Sequence, residues 1–313
     1  MSAISLELIE DRLVYEKLFA RISCSNLLQS WAWGAAKAQA ESWVPTRLLL
    51  RRGGTSIGLA QVLEKQRAGG RLLRLNRGPL WLDSELDFAI RVAGIAALCQ
   101  DIRWWRARLG MIAPEFPGTP LARQWLAETG LRPRSSEAWT SSRIDLAESE
   151  EVLRKALAGK WRNMLVSAEK ADLTVELAEG GKALERLLPL YIDMMRNKGF
   201  SGVSPVLLTA LSQVAPDSLH GFFASQGGET VSAVLVAGHG SSCTYLIGWN
   251  NDAGRRLRGN HLLLWRALLS MRRQGTRWFD LGGIDRVSTP GIAAFKAGLG
   301  GDEYGLCGEW IRI

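Results

Sequence analysis

The sequence predicts a mixed α/β protein made of two tandem lobes, each a mixed central sheet flanked by helices, and three observations carry that prediction. The chain has 313 residues, room for two domains at roughly 150 residues each. Its 47% hydrophobic and 22% charged content is that of a globular protein able to bury a core. Most telling, TRLLLRRGGTSIGLAQV (Thr46–Val62) matches HGFFASQGGETVSAVLV (His220–Val236) at a constant offset of 174 residues, the signature of an internal duplication. The same offset sets Arg103-Trp104 on Arg277-Trp278, and Leu13, Val14 and Leu18 on Leu187, Leu188 and Ile192.

In the first copy, periodicity predicts a helix over 6–21, a hairpin over 47–64, a strand over 72–82, an amphipathic helix over 86–100 and a strand over 103–113. The hairpin turns at Gly53-Gly54, a pair able to take the positive φ of a tight turn; Gly227-Gly228 does the same in the second copy. There the pieces are 182–197, 219–237, 243–249, 259–274 and 276–281, preceded by a helix over 149–170. Between the copies, 114–145 carries Pro114, Pro117, Pro120 and Pro133, a short helix near 119–129 and a strand-like Trp139–Ile144. The lobes are placed at 1–145, with 304–313 a candidate completion, and at 146–303.

Composition excludes several function classes. Cys24, Cys99, Cys243 and Cys307 form no C-x-x-C pair, and His220, His239 and His261 are far apart, so neither a metal site nor a redox dithiol is expected. The cysteines are read as reduced, buried thiols. Apolar runs such as Val92–Cys99 and Ala233–Ala237 fall far short of the ~18 residues of a membrane span. The opening MSAISLELIEDRLVYEKLF is acidic and helical in period, unlike a secretory signal. A cytoplasmic monomer is expected.

The formal charge of +8 comes from arginine groups such as Arg51-Arg52, Arg71/Arg74/Arg77, Arg103/Arg106/Arg108 and Arg272/Arg273/Arg277. These suit either a phosphate-facing surface or a solvated one. Arg255, Arg256, Arg258, Gly259 and Asn260 lead into the helix over 259–274. Guanidinium groups, free N–H groups and the positive helix end converge there. The segment reads as a phosphate or tRNA contact or as a basic helix cap, and it approximates the R-x-x-G-x-G/A loop of GNAT acyltransferases except that His261 fills the last position. The duplicated α/β unit resembles the GNAT architecture as a whole.

Trp278-Phe279-Asp280-Leu281-Gly282-Gly283-Ile284 reads as a strand running into a glycine-rich turn. Gly291-Ile292, Phe295-Lys296-Ala297-Gly298 and Leu299-Gly300-Gly301 follow. Here the sequence resembles the Fem family of aminoacyl-tRNA-dependent peptidyltransferases, with its D-x-G-G-I turn and G-I-x-x-F-K-x-G-x-G-G element. Gln29-Ser30, Trp33-Gly34 and Lys37 resemble that family's early Q-S-x-x-W-G-x-x-K segment, and Arg77-Gly78-Pro79 its R-G-P turn. Trp161-Arg162-Asn163 with Ala168-Glu169-Lys170 resembles the helix opening its second lobe. The likeness covers about 25–305 and lacks the family's long helical hairpin, as in its armless branch.

The resemblance implies transfer of an amino acid from charged tRNA to a primary amine of a peptide, above all a peptidoglycan precursor linked to a nucleotide or lipid. The first lobe would bind the acceptor, and the second would bind aminoacyl-tRNA and catalyse. No cofactor is expected beyond aminoacyl-tRNA as donor substrate; peripheral membrane contact would come only through a lipid-linked acceptor. An ester already activated needs positioning and a cation for the developing oxyanion. The resemblance assigns that cation to Lys296, with Phe295 beside it, and places acceptor contacts on Lys37, Arg77, Arg196 and Tyr245. Asp280 is a candidate base, or equally a cap for its own turn. Alternatives are an acyl-CoA-dependent N-acyltransferase, a tRNA-dependent ligase acting on a small peptide metabolite, and a non-catalytic RNA-binding or assembly module.

Overall fold

The structure, a computed structural model, describes residues 3–101, 109–134 and 139–312. The chain folds as two compact units, residues 1–140 with 304–313 and residues 141–303.

The first unit opens with β1 (Ile4–Leu8), α1 (Arg12–Phe19) and α2 (Trp31–Glu41). The single helix expected over 6–21 is therefore corrected: Ile4, Leu6 and Leu8 alternate with Ser5 and Glu7, a strand period, and β1 pairs antiparallel with β2 (Val44–Arg52). Asp11 then caps α1 through Leu13 N and Val14 N. The hairpin of β2 and β3 (Thr55–Arg67) turns at Gly53 and Gly54, at φ +55° and +82°. The strand expected over 72–82 is two pieces, β4 (Gly70–Asn76) and β5 (Leu80–Trp81), broken at Arg77, which is left-handed at φ +50°. Next come α3 (Phe88–Gln100), β6 (Leu109–Ala113), α4 (Pro120–Glu128) and β7 (Arg132–Pro133). Arg103-Trp104, Arg106 and Arg108 lie outside the described residues.

In the second unit β8 (Thr140–Asp145) continues from the first, followed by α5 (Glu150–Ala156) and α6 (Gly159–Glu169). The one helix expected over 149–170 is thus two, because Leu157 is extended at ψ 134°; the Arg162 guanidinium donates to the freed carbonyls of Lys155 and Leu157. β9 (Thr174–Glu179), α7 (Gly180–Lys198), α8 (Pro205–Val214), β10 (Leu219–Gln226), β11 (Glu229–His239) and β12 (Ser242–Asn250) come next. They lead to α9 (Asp252–Arg256), α10 (Gly259–Arg273), β13 (Trp278–Asp280) and α11 (Pro290–Ala297). The chain ends through β14 (Asp302–Gly305) and β15 (Trp310–Arg312).

The two sheets share one topology. The first runs β1-β2-β3-β4-β6-β15-β7 and the second β9-β10-β11-β12-β13-β8-β14, each with one parallel pair near its middle. Both hairpins carry a register shift, between Leu50 and Arg51 in one and between Ala224 and Ser225 in the other, at positions 174 residues apart. A duplicated bulge at the same place is hard to obtain except from a duplicated unit. In each unit a helix covers the sheet. α3 buries Ile95 and Leu98 with Leu48, Val62 and Leu75, and α10 buries Leu263, Leu264 and Leu268 with Phe222, Val234 and Val236.

Candidate active site

The site begins where two parallel strands stop pairing. β12 and β13 pair at Ser242–Trp278, Cys243–Phe279 and Thr244–Asp280 and no further. Tyr245 is the next residue. Val236 of β11 lies opposite Tyr245 and Leu235 opposite Ile247, so Leu246 is the extra residue of a bulge, a device that re-aims side chains beside functional clefts. Open α/β sheets bind ligands beyond the carboxyl ends of their strands, and Tyr245, Asp280 and Lys296 gather at this end.

Beyond Asp280 the chain turns through Leu281, Gly282 and Gly283. Gly282 has φ +68°, and a Cβ there would stand 3.0 Å from the Tyr245 carbonyl oxygen and 3.7 Å from Lys296 Nζ, so glycine is required by conformation and by space. The Asp280 carboxylate holds this turn. Its Oδ1 accepts from Gly282 N at 2.7 Å and lies 2.6 Å from Ser141 Oγ, while Arg143 Nε is 4.0 Å from Oδ2. Of the two sequence readings for Asp280, the turn cap is the one its geometry displays.

Lys296 reaches the turn from the last turn of α11, where the helix dipole favours a cation. Nζ donates to the Gly283 carbonyl at 2.7 Å and lies 5.5 Å from the Tyr245 ring centroid, within range of a cation–π contact. The residue is 8% exposed. Burial pulls its pKa down to about 8, against the opposing pull of Asp280; the group remains mostly protonated near neutrality yet is close to its titration point. Tyr245, whose phenol burial pushes up, stays a neutral donor.

Phe295, next to Lys296 on α11, packs into an aromatic cluster. Its ring lies 4.9 Å from His261 and 6.0 Å from Trp161, and Trp161 and His261 are 4.9 Å apart. This aromatic cluster fastens α11 to α10 and α6. A Cβ on Gly298 would strike the Trp161 indole at 2.6 Å. His261 is held neutral, its pKa lowered to about 4 by burial and by Arg258; it is a packed helix residue.

At the start of α10, Arg258 adopts the left-handed conformation at φ +60°, and no side chain caps the helix. Non-glycine residues seldom take that conformation. Gly259 has a packing reason, since a Cβ there would sit 2.1 Å from Ser232 Oγ. Asn260 turns inward toward Gly248, where an added Cβ would meet Tyr245 Oη at 2.0 Å and Asn260 Nδ2 at 3.2 Å; its Oδ1 is buried with no hydrogen-bond partner. Arg255 is paired with Asp252 at 2.6 Å on the surface. Arg256 ends α9 and is exposed.

Arg196, Lys37 and Arg77 each have side-chain partners of their own. Arg196 is 74% exposed near the end of α7 and pairs with Asp193. Lys37, in the first unit, bonds Glu41 at 2.7 Å and lies over the Trp33 ring. Arg77, also in the first unit, is 9% exposed, held in two bonds of 2.7 Å by Glu115 and bonded to Tyr304 Oη at 2.8 Å. Gln29 explains the early motif. It donates to the Gln61 and Asn76 carbonyls and accepts from Gln61 N at 2.7 Å, and it fills the space a Cβ on Gly78 would need. The Q-S and R-G-P segments lock to each other.

Sequence reasoning missed Ser141 and Arg143. They approach Asp280 from β8, more than 130 residues away in sequence, and neither belongs to a recognisable pattern. None of the four cysteines is in a disulfide; three are buried and Cys24 is half-buried. Among the described residues no group of three His, Cys, Asp or Glu side chains is placed to hold a metal, and no helix is long and apolar enough to cross a membrane.

Residues 153–297 match the acetyltransferase (GNAT) domain family. Among solved structures, the chain is similar to FemX with a TM-score of 0.82 at 17% identity, covering 99% of this chain and 97% of that one. A tandem GNAT protein from the clavulanic acid biosynthesis pathway matches with a TM-score of 0.57 at 13% identity over 99% and 98% of the two chains. The C-terminal domain of a putative lysylphosphatidylglycerol synthetase from Agrobacterium fabrum matches at 0.56 and 14% identity over 96% and 92%. No curated protein matches the sequence. The chain thus has the FemX fold, two tandem lobes of GNAT type, with Lys296 at the open strand ends of the second.

Proposed function

We propose that the protein transfers an amino acid from the 3′ end of aminoacyl-tRNA to a primary amine of a peptide acceptor, a peptidoglycan precursor above all. The observation that carries the reading is the buried Lys296 ammonium beyond the last paired residues of β12 and β13, ringed by Tyr245, the Gly282-Gly283 turn and Asp280. In the reaction the amine attacks the ester carbonyl carbon and the ribose oxygen departs with the bonding electrons, taking up the proton the amine loses. Negative charge develops on the carbonyl oxygen, and a fixed cation in a dry site stabilises it. Asp280 acts as a positioning residue by holding the turn that Lys296 binds. Arg256 and Arg258 at the open end of α10 supply donor phosphate contacts.

A second reading is favoured by one observation, the uncapped basic start of α10 within the segment that matches the GNAT domain: that end would take the pyrophosphate of an acyl-CoA. The test is to supply the purified protein with radiolabelled aminoacyl-tRNA and a precursor pentapeptide carrying a free amine. Labelled peptide supports the proposal; acylation from acetyl-CoA alone favours the second reading; no product from either donor contradicts both.

A further inference from the structure

A second candidate site lies in the second unit, away from Lys296. Along α10, Leu262, Arg266, Ser270 and Arg273 follow one another at helical spacing on one stripe, and that stripe walls a cavity of about 430 Å³. Such a volume lies within the ~300–1,000 Å³ of small-molecule sites.

The floor of the cavity is apolar. It is made by Leu173, by Val175 and Leu177 of β9, and by Phe222 of β10, with Leu262 above. β9 is the edge strand of its sheet, and Leu177, directly opposite Phe222 in the register, is 47% exposed. The rim is cationic. Among the described residues neither Arg266 nor Arg273 forms an ion pair, although both line the cavity. The one carboxylate on the rim, Glu169, is bound through both oxygens by Arg154 at 2.8 and 2.6 Å, a pairing that holds its pKa below the usual carboxylate range. Arg266 also acts on Glu169 through space, so the guanidinium groups around this rim outnumber its single carboxylate.

A hydrocarbon floor beneath a rim with guanidinium groups in excess is complementary to a molecule with both features. A free phosphate would meet the arginines and leave Leu177 and Phe222 in water, whereas an uncharged hydrocarbon would cover the floor and leave the guanidinium groups without partners. We propose that this cavity binds a single-chain lipid with an anionic head, its chain along Leu173, Val175, Leu177 and Phe222 and its head between Arg266 and Arg273. The site shares no residue with the Lys296 cluster, so the inference stands apart from the transfer reaction.

The probe is dodecyl phosphate, titrated into the full-length protein below its micellar concentration and followed by calorimetry. Saturable binding is expected, with inorganic phosphate and dodecanol each weaker by a factor on the order of ten or more. Arg266→Gln combined with Arg273→Gln, and separately Leu177→Asn, should each weaken dodecyl phosphate binding by a similar factor while the thermal midpoint stays put; Lys296→Met should bind as the parent does. The proposal is overturned if nothing saturable is seen, if inorganic phosphate binds as tightly as dodecyl phosphate, or if neither surface variant alters the affinity.

Discussion

The two units start from the same plan and differ at one seam. In the first, β4 pairs in parallel with β6 along Leu72–Asn76, zipped to its end. In the second, the counterpart strand pairs only at Ser242–Thr244, which answer to Leu72–Arg74 by their register against the hairpin, and Tyr245, the counterpart of Leu75, lies past the last pair with β13. The neighbouring helix starts differ as well. α3 is capped by Asp87, which accepts from Ala89 N at 2.7 Å and follows Asp83 and Glu85, a carboxylate-rich end hostile to anions. α10 opens on Arg258 with no side-chain cap. Trp81 pairs with Gly58 in the first unit, where the second pairs Asn250 with Ser232, and the Trp81 indole fills the space beside Gly58 and Gly94. One duplicated scaffold is closed and apolar at this place; the other is open, basic and furnished with a buried lysine. Fold alone does not carry chemistry, and the proposed reaction is assigned to the open copy.

The comparison is broken most sharply at Lys296. If the open seam is the reactive one, Lys296→Met lowers the rate of aminoacyl transfer by ~10²–10³, measured in single turnover with charged tRNA. The same variant should fold at least as well as the parent. A lysine whose pKa is lowered from 10.5 to about 8 on folding binds its proton less tightly in the folded than in the unfolded state. Its burial therefore opposes folding below pH 8, and stability recovers between pH 8 and 10.5. At pH 7 chemical denaturation of Lys296→Met should give an unfolding free energy equal to the parent's or higher, by up to ~3 kcal/mol.

The closed unit gives the opposite pattern. Removing Arg77 takes from the Glu115 carboxylate both of its 2.7 Å guanidinium bonds, so Arg77→Ala should lower stability by about 3 kcal/mol in a urea titration, with any activity lost in step with folded protein. A specific loss of activity in stable protein would instead mark Arg77 as a substrate contact. A smaller effect sits at the packed start of α10. Gly259→Ala drives a methyl into Ser232 Oγ and should cost about 1–3 kcal/mol, read as a lower thermal midpoint. Smallest of all, Arg258→Gly relieves the left-handed strain and should stabilise by ~1 kcal/mol while raising the KM for the donor; stabilisation with unchanged KM would make Arg258 a mere cap.

Much of this was legible in sequence, and the reasons are local. Gly53-Gly54 and Gly227-Gly228 had to be turns because only glycine takes positive φ without penalty, and their offset exposed the duplication. The Asp280–Gly283 and Phe295-Lys296 segments pointed to the site through a pattern of residue types. What stayed hidden is non-local. The early parting of β12 from β13 depends on a strand register and a bulge at Leu246. Ser141 meets Asp280 only through the pairing of β8 with β13. Arg77 looked like a phosphate ligand because nothing in its own segment reveals that Glu115 and Tyr304 surround it. Phe295 shared the lysine's motif but is claimed by Trp161 and His261, one of which comes from a helix well over a hundred residues earlier.

The charge state of the Lys296 nitrogen is the most direct test of the open-seam account. Single-turnover transfer from aminoacyl-tRNA should be followed from pH 6.5 to 9.5 for the parent and for Lys296→Met. If the ammonium stabilises the oxyanion, the parent's rate falls as pH rises through about 8, and the variant is slow and without that inflection. A parent rate that climbs through the same pH, or a variant that matches it, would contradict the account.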